Sequence, residues 1–292
     1  MPLTKLQYKP GINRDVTSYS NEGGWVDSDK VRFRFGFPEK IGGWVKYSTN
    51  TYLGSARSLF SWVALNGTKL LGVGTSVKYY VVQGADFNDI TPLRRTTTGT
   101  ATFSVANGAT VATVTDSNNG SNAGDFVTFS SAASLGGNIT AAVLNQEFEI
   151  QTVPTANTYT INLSATANGS DSGNGGGSTV AKYQIDCGLD TQVGGTGWGA
   201  GTWQRGTWGS AADVTTETEL ALWNEDNFGE DLLLNLRDSS VYYWDKSGGV
   251  SARAVNITSL DGSSDAPTIS KQVMVSDNSR HVICFGANTI GT

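Results

Sequence analysis

The feature that most constrains the fold is a short unit of apolar runs and tight turns that occurs more than once. In residues 52–93 the unit has three apolar runs and a closing segment, at residues 59–63, 70–73, 77–82 and 89–92. Asn66-Gly67, between the first two runs, is a strong hairpin signal. Short apolar runs joined by tight turns predict antiparallel strands in meander order.

The same order returns later in the chain. A second copy has its runs at residues 220–223, 232–235, 241–244 and 256–258, and a third copy begins with runs at 273–275 and 282–286. A recurring four-stranded meander is typical of a propeller blade. A closed propeller takes about four or more blades, and this sequence supplies two and part of a third. We therefore expect either that the natural protein is longer or that other chains complete the ring.

An insertion separates the first two copies, over roughly residues 96–183. Its segments alternate cleanly and are rich in Thr and Val, at residues 101–105, 110–115, 125–130, 147–153 and 158–163. This composition favours strands over helices. It predicts a small β-sandwich or barrel of immunoglobulin-like size. The Gly/Ser/Asn-rich residues 167–178 are expected to be a tether that lets this domain pivot.

The predicted fold class is therefore all-β, with propeller-like blades that are incomplete within this chain and an inserted small immunoglobulin-like domain. Four regions follow: an N-terminal arm with a basic strand, a first blade, the insertion, and further blades of which the last is incomplete, at residues 1–51, 52–95, 96–185 and 186–292. Two cysteines, Cys187 and Cys284, lie far apart in sequence and are expected to be reduced core residues.

A basic segment in the N-terminal region alternates apolar and basic positions. Val31, Phe33, Phe35 and Phe37 alternate with Arg32, Arg34 and Gly36, and this period of two predicts one strand with an apolar face and an arginine face. The candidate subunit-contact or DNA-facing residues are Lys30, Arg32, Arg34 and Lys40. An intersubunit salt-bridge face and phosphate contacts are both open, and the local partners available are Asp27, Asp29 and Glu39.

Charge is divided unevenly along the chain. Residues 1–95 hold 13 basic and 7 acidic residues, a net of +6, whereas residues 96–292 hold 7 basic and 19 acidic residues, a net of −12. Such an acidic chain is a poor general nucleic-acid binder, and an acidic surface would let DNA pass without sticking. The acidic stretch at residues 213–231 is expected to be a solvated face between blades. The alternative is a glycosidase acid and nucleophile drawn from Glu217, Glu219, Glu225, Asp226, Glu230 and Asp231.

Three tryptophans recur every five residues in a glycine-rich loop, Trp198, Trp203 and Trp208. We expect them to be packing anchors, and the alternative is that they stack on sugar rings. The single histidine, His281, is expected at a strand end or turn. No serine-hydrolase elbow or phosphate-binding glycine motif is present in the sequence, so we predict no catalytic, cofactor-binding or metal-binding residue. No apolar run is long enough to span a membrane as a helix.

The N-terminal segments PGINRDVTSYSNEGGW and KVRFRFGFPEKIGGW resemble the signature of tail nozzle or tail-tube proteins of short-tailed bacteriophages. The blade-like SLFSWVALNGTKLLGVGTSVKYYV and the β-insertion extend the resemblance. It implies a non-enzymatic virion protein in the phage tail, assembled in the host cytoplasm as a homo-oligomeric, hexameric ring. Its implied partners are adaptor and tail fibre proteins, with transient passage of DNA.

Two alternatives to a nozzle stay open. One is a carbohydrate-binding tail adhesin or depolymerase-like receptor-binding protein, which Trp198, Trp203, Trp208 and the acidic stretch would serve. The other is a receptor-binding module confined to the insertion. The sequence leaves open whether the insertion contacts fibres or host glycans, and whether the acidic or the basic half lines the lumen.

Overall fold

The chain is described by a computed structural model over residues 8–188, 222–263, 265–276 and 278–288. Two compact units form, an N-terminal unit, Met1–Thr49, and a main unit, Asn50–Thr292. The all-β class is confirmed, because the described helical elements are one short α-helix and two 3-10 turns, α1 (Ala141–Leu144), Lys246–Gly248 and Ile257–Ser259. Among the described residues, no helix has the length and apolar character needed to cross a membrane.

The N-terminal unit contains a β-hairpin where a single strand was expected. β1 (Val31–Arg34) pairs with β2 (Phe37–Lys40) in antiparallel register. Phe35 and Gly36 form the turn with φ values of 51° and 83°, and two successive positive φ values are typical of a type I′ turn. The single-strand prediction is wrong because the apolar alternation runs through a two-residue turn that has no separate turn signal beyond Gly36.

Two four-stranded antiparallel meanders in the main unit confirm the repeated unit. Blade 1 consists of β3 (Ala56–Val63), β4 (Lys69–Thr75), β5 (Tyr79–Gln83) and β6 (Asp86–Asp89), and blade 2 of β14 (Trp223–Phe228), β15 (Asp231–Leu236), β16 (Val241–Trp244) and β17 (Val255–Asn256). A third, two-stranded sheet follows, with β18 (Gln272–Val275) and β19 (Val282–Phe285). Each sheet is built from strands that are neighbours in the chain, which short loops allow.

Blade 1 and blade 2 pack face to face. Trp62 and Tyr79 from blade 1 share a buried core with Trp223 and Trp244 from blade 2. The Trp62 and Trp244 rings meet edge to face at 6.2 Å, and Tyr79 and Trp223 at 5.0 Å. Edge-to-face pairs add to the hydrophobic burial because ring edges and faces carry opposite partial charge. The opposite side of blade 2 packs on the third sheet through a smaller core that includes Val273 and Val275.

The insertion is a seven-stranded sheet. Its strands are β7 (Leu93–Thr98), β8 (Thr102–Val105), β9 (Val111–Thr115), β10 (Phe126–Ser130), β11 (Glu147–Thr155), β12 (Thr158–Asn162) and β13 (Val180–Gln184). Their order across the sheet is β7-β13-β10-β11-β12-β9-β8. A flat sheet of this order would separate its edge strands by about 29 Å. The edge strands β7 and β8 are consecutive, however, and the chain from Thr98 to Thr102 spans at most about 14 Å. The sheet must therefore curl, and it encloses a core around Phe103, Phe129 and Tyr159.

The glycine-rich residues 167–178 are part of this domain, so the expected pivoting tether is wrong. The Asp171 carboxylate accepts backbone N–H bonds from Ile139 at 2.8 Å and from Asn168 at 2.6 Å. The Gly173 amide donates to the Leu135 carbonyl at 2.6 Å. Gly173 is needed for close approach to other backbone, not for flexibility, because a Cβ at this position would lie 2.9 Å from Leu135 backbone atoms.

The boundaries predicted between blade 1, the insertion and blade 2 all fall within the main unit. They stay predictions.

Candidate functional site

The four basic candidates lie on or beside the β1–β2 hairpin without forming one face. Arg32 is opposite Glu39, and Arg34 is opposite Phe37, whereas Lys40 is opposite Val31. Directly opposed residues of an antiparallel pair lie on the same side. Arg32 and Arg34 therefore share one side and Lys40 lies on the other, while Lys30 precedes β1.

These basic side chains make local contacts of the kind that the sequence suggested. Arg32 Nε donates to Glu39 Oε2 at 3.2 Å, and Lys30 Nζ lies 3.8 Å from Asp29. The third predicted partner, Asp27, is bound by Arg14. Exposed ion pairs of this kind contribute little to stability. The role of the four residues in subunit or DNA contacts stays a prediction.

The sugar-stacking candidates fall outside the described residues. These are Trp198, Trp203 and Trp208, and their assignment as packing anchors or as sugar-stacking residues stays a prediction. Glu217 and Glu219, two of the candidate glycosidase carboxylates, also fall outside the described residues, and their role stays a prediction.

The acidic residues on β14 contact neighbouring sheets instead of forming the predicted solvated face. The Glu225 carboxylate accepts hydrogen bonds from Ser58 Oγ and, at 3.2 Å, from the Tyr79 hydroxyl of blade 1. Asp226 accepts a 2.7 Å bond from the Val275 amide of the third sheet. The solvated-face prediction is wrong here because β14 lies between two other sheets. Consecutive strand residues point to opposite sides, so Glu225 and Asp226 do not converge as an acid and nucleophile.

The carboxylates at the β14–β15 turn also have structural partners. Glu230 accepts a 3.0 Å bond from Lys246 Nζ, and Asp231 accepts 2.5 Å and 3.0 Å bonds from the Tyr243 hydroxyl and the Lys246 amide.

Burial raises the pKa of Glu225, an effect that outweighs the hydrogen bonds from Ser58 and Tyr79. The four described carboxylates of the stretch thus fix the packing of blade 2.

A buried lysine links blade 1 to the insertion. The Lys78 side chain is 1% exposed, and its Nζ lies 2.8 Å from Asp89 of β6 and 2.6 Å from Glu147 of β11. It also lies 4.6 Å from the centre of the Phe126 ring of β10. A buried ammonium needs such compensation because desolvation of a charge is expensive. We call this group, with Arg253 and Gln184, the ionic junction.

Two further side chains extend the ionic junction to blade 2 and to β13. Arg253, in the loop before β17, donates to Asp89 at 3.0 Å. Gln184 donates to Glu147 at 2.6 Å. Burial acts to raise the pKa of Asp89, but the charges of Lys78 and Arg253 outweigh it, and the pKa lies below its usual value. Both blades and the insertion are therefore held by one set of charges.

A cleft of about 430 Å³ opens beside the junction. Its lining includes three carboxylates, Asp125, Glu149 and Asp186, and the Cys187 thiol. Burial raises the pKa of Cys187, so the thiol stays protonated near neutral pH and is a poor nucleophile. No histidine or lysine belongs to the described lining that could activate it. Within the described residues, no group of three or more side chains is arranged to hold a metal ion.

The outer surface of the insertion carries a grid of hydroxyl side chains. Cross-strand pairing aligns them in two rows of four, Thr102-Thr115-Thr158-Thr155 and Ser104-Thr113-Thr160-Thr152. Within the rows, the Thr155 and Thr158 hydroxyls lie 2.7 Å apart, as do those of Thr152 and Thr160. Neighbouring strands are about 4.8 Å apart. The grid therefore presents uncharged donors and acceptors in two rows, and the register of β11 shifts between Thr152 and Thr155.

Other predictions about single residues are confirmed. Cys187 and Cys284 are free, with Cys187 buried and Cys284 partly buried. His281 directly precedes β19 at an exposed position. The sequence analysis missed Lys78 and the hydroxyl grid. Period-two threonines at residues 102, 113, 115, 158 and 160 are a usable signal for the grid, whereas a lysine in an apolar strand gives no indication of its partners.

No family model and no curated protein matches the chain. Among solved structures, the chain is similar to one described as the phage phi92 endosialidase, with 13% sequence identity and a TM-score of 0.26. The alignment covers 82% of this chain and 35% of the other, so the chain spans about a third of that protein's length. A TM-score this low establishes neither a shared fold nor a shared activity.

Proposed function

We propose that this chain is a structural subunit of the tail nozzle or tail tube of a short-tailed bacteriophage. It would form a homo-oligomeric, hexameric ring, with adaptor and tail fibre proteins as neighbours, in the tail of the virion. DNA would pass through the ring during infection. The protein would act as a rigid wall and would carry out no bond-making chemistry.

The observation that carries this proposal is the ionic junction. Lys78, Asp89, Glu147 and Arg253 tie blade 1, the insertion and blade 2 together through buried or half-buried charges. Such links resist separation because breaking them leaves a charge buried without its partner. A wall under load needs this resistance, whereas a catalytic site needs convergent free groups. The four described carboxylates of residues 213–231 are instead engaged in packing contacts.

Charge and sequence add support. The net charge of −12 over residues 96–292 would repel the DNA backbone and favour passage without binding. The resemblance of the N-terminal segments to the nozzle signature is the reason for proposing this family and a ring-shaped assembly. On this proposal, Lys30, Arg32, Arg34 and Lys40 contact acidic neighbours.

The proposal is tested by assembly with an adaptor protein of such a tail. We expect the purified chain to add to the adaptor ring, and electron microscopy of the mixture to show matching rotational symmetry. A chain that stays separate from the adaptor at all concentrations would contradict the proposal. A glycan array on the same sample should be blank for a nozzle.

A second candidate function, glycan binding by the insertion, is favoured by the hydroxyl grid alone. Uncharged hydroxyls in two rows can exchange hydrogen bonds with a polyhydroxylated polymer. Deleting residues 96–185 is a poor test, because it cuts β7 and removes Glu147 and Gln184 from the ionic junction. Thr113→Val with Thr160→Val is a sharper test, with Thr96→Val and Thr98→Val at exposed positions of β7 as the control pair.

Glycan-array binding that disappears in the grid variant and survives in the β7 variant would establish this second function. Equal signals from the two variants, or no signal from the unaltered chain, would reject it.

A further inference from the structure

The chain contains five asparagines that are followed directly by glycine. They are Asn66, Asn107, Asn119, Asn168 and Asn174. In such a pair the backbone nitrogen of the glycine can attack the side-chain carbonyl carbon of the asparagine, since glycine has no side chain that hinders the approach. The fold surrounds each of the five differently, and it determines which glycine nitrogen is free to react.

Two of the five glycine nitrogens are held by backbone hydrogen bonds. The Gly67 amide donates to the Ala64 carbonyl at 2.8 Å, and the Gly108 amide donates to the Ala167 carbonyl at 2.9 Å. Each nitrogen must give up its hydrogen bond before it can attack, and the carbonyl that it leaves then lacks its donor. The fold therefore protects these two pairs.

The third pair is protected by burial of its asparagine. Asn119 is 1% exposed, and its Nδ2 donates to the carbonyls of Asp116 at 3.0 Å and of Ala156 at 3.1 Å. This nitrogen is the atom that would leave, and its loss would put a carboxylate beside two carbonyl oxygens in a buried place. Such a charge is expensive to bury, so this pair is protected as well.

The fourth pair, at Asn174, is held through its glycine. Gly175 is buried, and its carbonyl accepts hydrogen bonds from the Ala133 amide at 2.7 Å and from Thr179 Oγ1 at 3.1 Å. A Cβ on Gly175 would lie 2.5 Å from the Phe103 ring. Attack requires the peptide to rotate, and this packing resists the rotation.

The fifth pair has none of these protections. Among the hydrogen bonds of the described residues, the Gly169 amide has no acceptor, and nothing lies within 4 Å of a Cβ built there. Asn168 is partly exposed, and its Oδ1 accepts a 2.9 Å bond from the Ser170 amide. Because Ser170 follows Gly169, this bond holds the side-chain carbonyl over the Gly169 peptide, close to the attacking nitrogen.

We propose that Asn168 is a site of spontaneous deamidation and the first of the five asparagines to react. The Gly169 nitrogen forms a bond to the Asn168 Cγ carbon, the Cγ–Nδ2 bond breaks, and Nδ2 leaves as ammonia with the proton of the Gly169 amide. Water then opens the resulting succinimide ring at either of its two carbonyl carbons and gives aspartate or isoaspartate. This modification goes beyond the proposed function, since it requires only water and the folded chain.

The modification would add a negative charge beside Asp171. The Asp171 carboxylate accepts backbone N–H bonds from Asn168 and Ile139. Asn168 Oδ1 and Asp171 Oδ2 both lie against Gly137, so a new carboxylate at the first position would face the carboxylate at the second. Like charges this close repel each other. We therefore expect modified chains to be cut faster by protease within residues 167–178 than unmodified chains.

Peptide mapping by mass spectrometry tests the site on the purified full chain. One sample is incubated folded at mildly alkaline pH, and a parallel sample is incubated unfolded in guanidinium chloride. Electron-transfer fragmentation separates aspartate from isoaspartate, and the other four asparagines are internal controls in every sample. Gly169→Ala is the matched variant, because its Cβ hinders the attack and has no atom within 4 Å with which to clash.

In the folded chain we expect Asn168 to lose its amide before any of the other four, with both aspartate and isoaspartate as products. In guanidinium chloride all five asparagines should react at similar rates, because the fold no longer distinguishes them. The folded Gly169→Ala variant should lose the amide of Asn168 far more slowly and should be unchanged at the other four sites.

Earlier loss at another asparagine, or an intact Asn168 in folded chains after the unfolded chains have reacted, would overturn the inference. Undiminished loss in Gly169→Ala, or aspartate as the sole product, would also overturn it, because the Gly169 nitrogen would then not be the attacking group. None of these results bears on assembly with the adaptor, so the proposed function stands or falls separately.

Discussion

The N-terminal hairpin and the insertion have the same alternation of apolar and polar residues, yet they differ in what their apolar residues contact. In the insertion, alternate residues such as Phe129 and Ile161 are at most 1% exposed. In described residues 8–49, no apolar side chain is buried, and Phe35 and Trp44 are 88% and 96% exposed. Alternation therefore predicts strands, whereas burial requires a sheet long enough to curl or a second sheet to pack on.

The largest expected effect separates these two regions directly. Phe129→Ala should lower the free energy of unfolding by about 3–5 kcal/mol, because it leaves a cavity in a closed core. Phe35→Ala on the hairpin turn should change it by less than about 0.5 kcal/mol. Urea unfolding of both variants measures the difference. Similar losses in the two variants would show that the hairpin has a core of its own.

Breaking the ionic junction should have the second-largest effect on stability. Lys78→Met should cost about 3 kcal/mol, because Asp89 and Glu147 lose the cation that compensates their burial. Lys182→Met, on the exposed side of β13, is the matched control and should cost less than about 0.5 kcal/mol. Thermal unfolding by calorimetry compares the two. Equal melting temperatures would show that the ionic junction does not stabilise the fold.

Substitution of two glycines in one loop tests whether residues 167–178 are an ordered segment or a tether. Gly173→Ala should cost about 1–3 kcal/mol, since the new Cβ overpacks against Leu135. Gly169→Ala should be nearly neutral, because nothing lies within 4 Å of a Cβ there. Limited proteolysis within residues 167–178 and urea unfolding both report the effect. If both variants were neutral, the prediction that residues 167–178 are a flexible tether would be supported.

The smallest effect concerns pH. The pKa of Asp89 in the folded chain is lowered from its usual value of 3.8, so its ion pairs contribute stability above that value. This contribution is lost as pH falls through the lowered pKa. The difference in unfolding free energy between the unaltered chain and Asp89→Asn should therefore shrink between pH 7 and the acid limit of folding. A constant difference would mean that the carboxylate charge is not what stabilises the junction.

Much of the fold could be predicted because local signals determine it. Asn66-Gly67 and the short apolar runs give the blade meander, and Thr/Val alternation gives the insertion strands. The hairpin was missed because Phe35 adopts a positive φ that the residue type does not announce. Residues 167–178 were misread because composition cannot show that Asp171 collects backbone hydrogen bonds.

The contacts of the site depend on the fold and could not be predicted. Lys78, Glu147 and Arg253 are far apart in sequence, and only the pairing of blade 1 with the insertion and blade 2 brings them together. The carboxylates of β14 looked solvated because their partners, Tyr79 and Val275, belong to other sheets.

The central proposal is that this chain is a structural wall subunit of a phage tail. Imaging of purified particles that carry a label on this protein tests it most directly. We expect label on the tail axis below the head, with the rotational symmetry of a ring. Label confined to the fibres, or particles without label, would contradict it.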